Sequence, residues 1–158
     1  MISTQQIAEH FKQVHFGGNW TASNLKEQLN GVNWQQATQK IGSLNTIATL
    51  VFHINYYVGI IIKVLEGGPL EGSDKLSFNV PLIESEEQWQ NLVSKNFKDA
   101  ERLATLIEQM PTNKLGEIFG IEKYGNYYRN ILGVIEHTHY HLGQIVLIKK
   151  LISEKGFD

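Results

Sequence analysis

From Tyr128 to Leu151 the chain has no proline, and Ile131, Val134, Ile135, Thr138, Leu142, Ile145 and Ile148 recur at intervals of three and four. Only a helix keeps residues at that spacing on one side, because a strand would send them alternately to both faces. A helix with one apolar face must bury it against other elements, so the rest of the chain has to supply partners. The stretch also carries Glu136-His137-Thr138-His139-Tyr140-His141-Leu142-Gly143-Gln144, in which His137 and His141 lie four apart on one helical face.

Three further segments have the same period. Ser3 and Gln6 form a capping-box pattern, followed by Ile7, Phe11, Val14, Ala22, Leu25 and Leu29, which predicts a first helix over residues 4–29. Gly17-Gly18 interrupts that pattern at about 1 kcal/mol per glycine, so a bend or a very close neighbour is expected there. Asn30 to Gly42 reads as a polar connection with one short helical turn, and Trp34 as a cover over the end of the fold. Ser43 is the expected N-cap of a second long helix whose apolar residues run from Leu44 to Leu65 and include His53.

Gly67-Gly68-Pro69, Gly72-Ser73-Asp74 and Asn79-Val80-Pro81 then make residues 66–81 a long excursion. A lid over a site, surface variation and a contact with a partner subunit are all open readings of it. Ser85 and Gln88 form another capping-box pattern, with Glu86 and Glu87 where a helix dipole favours negative charge. Trp89 to Met110 continues an apolar face until Pro111 stops it. Residues 112–125 read as a loop, and the last helix is expected to start near Asn126 and end before Gly156. Four helices with one apolar face each predict an all-α, antiparallel four-helix bundle in a single domain over residues 1–158.

Composition narrows the function classes. A net charge of -2 offers no basic field for nucleic acid, and no basic amphipathic stretch suggests a membrane surface. There is no cysteine, which removes disulfides, a cysteine nucleophile and thiolate ligands. Met1-Ile2-Ser3-Thr4-Gln5 lacks signal-peptide features and no uninterrupted apolar run reaches spanning length, so a cytoplasmic protein is expected.

Any metal must therefore be held by histidine, carboxylate or water. His137 and His141 supply two imidazoles from one helix, and His53, in the interior of another apolar helix beside Leu50, Ile54 and Tyr57, is the expected third ligand. Three neutral imidazoles with an open position suit nucleophile activation better than a closed structural site. The ordinary alternative places His137 at a helix edge, His141 in a core hydrogen bond and His53 over a local polar cavity. Gln144 and Tyr57 are candidate catalytic residues: the amide can reach a ligand's free nitrogen or the substrate, and the phenol lies one turn from His53. His139 and Glu136 are expected in solvent, at an interface or around the ligands, and Tyr140 is off the face of the pair. His15 could look inward beside Val14, while His10 is a surface residue.

The stretch His137-Thr138-His139-Tyr140-His141-Leu142-Gly143-Gln144-Ile145, together with Ser43 to His53, resembles the DinB-like family of damage-inducible bacterial proteins and the related YfiT-like metal-dependent hydrolases. The resemblance extends over essentially the whole chain. It implies an up-down-down-up four-helix bundle, a homodimer, and a three-histidine divalent-metal site at His53, His137 and His141. Characterised relatives include thiol-dependent transferases and isomerases, which implies a low-molecular-weight thiol as co-substrate and S-transferase chemistry. A hydrolase using water, and a non-catalytic metal-binding stress or interaction bundle, are the alternatives. Imidazole accepts zinc, nickel, manganese and iron, and the sequence does not choose among them.

Overall fold

A computed structural model describes residues 3–155, and these are helical apart from their connections, with a single antiparallel bridge between Ile118 and Asn126. Ser3 caps α1 (Thr4–Phe16): its side chain accepts from the Gln6 amide and the Gln6 side chain answers on the Ser3 amide. The first predicted helix does not continue to Leu29. Gly17 and Gly18 take φ +113° and +90°, outside any helix, and the chain turns through a loop before α2 (Leu25–Leu29). Ala22, expected on the apolar stripe, is exposed at φ +53°, and Trp20 in the same loop is 99% exposed. Two adjacent glycines here end the helix, because no side chain opposes the positive φ.

The short turn expected after Asn30 is α3 (Trp34–Thr38), and Trp34 is half-buried against the core. The next long helix, α4 (Ile47–Leu65), starts later than predicted. Thr46 caps it by accepting from the Thr49 amide at 3.1 Å, while Ser43 is exposed in the preceding turn and Leu44 is 40% exposed. The excursion contains α5 (Asp74–Ser77), a single turn. Ser85 caps α6 (Glu86–Gln109) through the Gln88 amide, but the Gln88 side chain accepts from the Glu84 amide, one residue before the cap. Two 3-10 turns lead into α7 (Tyr127–Lys155), and its expected end just before Gly156 lies outside the described residues.

The four long helices pack in a ring, with α6 against α1 and α4, and α7 against α1 and α4. The Thr4 hydroxyl lies 3.5 Å from the Glu108 carbonyl oxygen and the Phe16 and Phe97 rings are 5.7 Å apart, so α1 and α6 run in opposite directions. One apolar cluster joins Ile7 and Phe11 with Val58, Leu103, Ile107, Ile131 and Ile135. The other joins Leu50, Ile54, Trp89, Leu142 and Ile145 with the α2 and α3 covers. Trp89 is fully enclosed and donates its indole N–H to the Val32 carbonyl at 2.7 Å, which satisfies the one polar atom it buries. By length and a mean hydropathy of 1.6, α4 could cross a membrane, yet more than half of that window (56%) is buried within the fold. On α7, His137 and His141 lie between Ile135 of the first cluster and Leu142 of the second, and on α4 His53 lies between Leu50 of the second and Val58 of the first.

Candidate metal centre

Two helices bring the three histidines together. His137 and His141 project from successive turns of α7 and His53 faces them from α4, its ring 4.8 Å and 4.7 Å from theirs. The Nε2 atom of His137 lies 3.0 Å from Nε2 of His53 and 3.1 Å from Nε2 of His141. Three nitrogens therefore converge on one small volume, as the sequence reading expects.

Hydrogen bonds on the far side of two rings fix which nitrogen carries the proton. The Ser77 hydroxyl donates to the Asp74 carbonyl at 2.6 Å, so at 2.8 Å from His53 Nδ1 it can only accept. His141 Nδ1 donates to the Gln144 side-chain oxygen at 2.7 Å. Both rings consequently present bare Nε2 lone pairs to His137. His137 has one proton and can direct it at one of them, leaving the other contact as lone pair against lone pair. A cation held between the three nitrogens would remove that conflict. Tetrahedral nitrogens at about 2.0 to 2.1 Å from a zinc ion stand about 3.3 Å apart, so the two close separations to His137 would open by only a few tenths of an ångström.

Electrostatics keep the rings neutral. Burial pushes His137 down to about 4, helped by the neighbouring His141 and His53 and opposed by Asp74. Burial also lowers His53, with His141 adding to it, and lowers His141 against the bond to Gln144. Neutral imidazole is the form that binds metal, so protons compete weakly at neutral pH. His137 Nδ1 is enclosed without a hydrogen-bond partner among the described residues.

The two candidate catalytic side chains stand differently around this centre. Gln144 is committed to His141 and orients its ring. Tyr57 packs edge-on against His53 and His137, at 5.2 Å and 4.8 Å between centroids, and donates its hydroxyl to Asp74 at 3.0 Å. Burial, then Asp74, raise its pKa, so it is a proton donor rather than a phenolate at neutral pH. His139 is half-buried and separate from the three, while Glu136 and Tyr140 are exposed. His15 is fully buried, bonded through Nδ1 to the Phe11 carbonyl at 3.1 Å, and is not one of the clustered histidines; His10 is exposed.

The sequence left the role of the excursion open and did not foresee its contacts with His53. Its turn α5 sets Ser77 on His53, and Phe78 stacks on the same ring with centroids 4.0 Å apart. Ser73-Asp74 before a polar turn was the one available signal, and it does not say where the turn packs. Next to His137 opens a cavity of about 800 Å³ whose wall includes Tyr57, Asp74, Phe119, Gly133 and Arg129. No protein-family model matches the chain, and neither does any curated protein or solved structure.

Proposed function

We propose that the protein is a divalent-metal-dependent enzyme that activates a low-molecular-weight thiol for transfer to an electrophile. His53, His137 and His141 would hold the ion. The convergence of three Nε2 atoms, two with their tautomers set by Ser77 and Gln144, beside an open cavity carries this reading. A divalent ion bound there supplies Lewis acidity that lowers the pKa of a thiol or water at its open position. Ser77 and Gln144 hold two rings in place, and Phe78 excludes water from one face of His53. Tyr57 holds a proton at the cavity wall, directed at Asp74, that would be available to a leaving group. The chain has no cysteine, so the sulfur must come from a small molecule.

A second reading is hydrolysis by metal-activated water. The Asp74 carboxylate favours it, because it lines the cavity and could accept a proton once Tyr57 releases it. The resemblance to the DinB-like family supports the thiol reading, and we read the fold as that family's up-down-down-up bundle. Clustering of the later parts of α4 and α6 with the early parts of α1 and α7 supports that arrangement.

Protein purified without added metal should carry or take up one divalent ion per chain, and His141→Ala should lose most of it while keeping its helical circular dichroism. Elemental analysis that finds no stoichiometric ion before or after reconstitution sinks the proposal. With the loaded protein, loss of a chromogenic electrophile only when a small thiol is present favours transfer. Cleavage of a nitrophenyl ester in thiol-free buffer favours hydrolysis.

A further inference from the structure

Arg129, Gly133 and His137 are spaced four apart on α7 and all line the cavity, so they form a stripe on one helical face. The helix rise sets Arg129 about 12 Å from His137. Gly133 lies between them, and a Cβ added there would meet nothing within 4 Å, so the space above the helix is open along the stripe. Lys123 lies at the same cavity.

The charges along this cavity are not evenly matched. Glu71 is paired with Lys63 at 2.6 Å, and Asp74, the other acid of the wall, accepts from Tyr57 at the histidine end. Arg129 and Lys123 have no carboxylate partner among the described residues. Arg129 also stands in the first turn of α7, where the helix dipole disfavours a cation, so helix stability does not explain it. Its side chain rests against Gly125, held at φ +77°, where a Cβ would come within 3.1 Å of the arginine Cδ. The missing side chain at Gly125 leaves Arg129 its seat.

We propose that the cavity takes an elongated anionic small molecule, carrying a carboxylate or phosphate, with its charge on Arg129 and Lys123 and its reacting end at the histidines. Ile61, Leu70 and Phe119 supply an apolar wall for the stretch between. An arginine fork matches either anion through two parallel hydrogen bonds. This rests on the cavity being the substrate pocket of the proposed metal centre, and it names the substrate class.

Calorimetric titration of the full chain, as purified and again after chelation, with octanoate, octyl phosphate and octanamide tests it. At least one anion should bind about tenfold more tightly than the amide, as charge-assisted bonds to a guanidinium imply. The better of the two identifies the anion. Arg129→Met with Lys123→Met should erase the preference, and Gly133→Leu should weaken anion and amide alike by filling the middle of the cavity. Equal affinity for all three probes, no binding by any, or a preference untouched by the double substitution overturns the proposal. The chelated arm needs no ion, so failure there is distinct from failure of the metal reading, which elemental analysis decides.

Discussion

Ser77 and Gln144 decide which nitrogen His53 and His141 offer to the centre, although neither would touch the ion. Without its acceptor, each ring is free to swap tautomer and turn, and a fraction of the molecules then presents an N–H where a lone pair is needed. Ser77→Ala and Gln144→Ala should each weaken divalent-ion affinity on the order of 10- to 100-fold, read by competition with a chromophoric chelator. Unchanged affinity in both would show that packing alone orients the rings. The two residues differ in how far the sequence exposes them. Gln144 follows His141 by three on the same helix, so its reach is fixed by helix geometry. Ser77 meets His53 across 24 residues of chain, through a turn held to α4 by the Phe78 stack and by the Tyr56 and Tyr57 hydroxyls rather than by any local pattern.

Among the elements, the long helices are legible because their apolar residues repeat with the helical period and each face is used. Residues expected inward on α7, from Ile131 to Ile148, are all buried. Boundaries are less legible where two residues compete for one task. Ser43 and Thr46 are both competent caps; the turn at Gly42 (φ +52°) leaves Ser43 outside the helix, and Thr46 takes the role. The apolar stripe through Ala22 was coincidental, since Gly17 already redirects the backbone. Gly17 sits at φ +113° and ψ 170°, with an added Cβ 3.2 Å from the Asn24 side chain. Gly17→Ala should therefore destabilise the protein by about 1 to 3 kcal/mol, measured by urea unfolding. A change near zero would mean that the break after α1 has no conformational constraint.

For the molecule as a whole, the buried His15 couples stability to pH. Burial pushes it from 6.5 down to about 4, against a bond to the Phe11 carbonyl that favours the charged form. The unfolded chain therefore takes up a proton below pH 6.5 that the folded chain refuses until about pH 4. Stability from this group is intact above pH 6.5 and falls as pH drops toward 4, by about 3 kcal/mol in total. His137 adds a slope of the same sign in metal-free protein. His15 packs against the Phe11 and Phe16 rings, so His15→Phe should keep an aromatic ring there and reduce the dependence by the His15 share, measured by denaturant unfolding across that range. An unaltered slope would assign the effect elsewhere. The loop that ends α1 also has an optical consequence. Trp20 stands in solvent and Trp89 in the interior, so an aqueous quencher reaches the first and spares the second. With Trp34 half-buried between these extremes, the folded chain carries three emitters, of which Trp20 is red-shifted and reports on the loop, while Trp89 is blue-shifted and protected from any quencher that does not open the core.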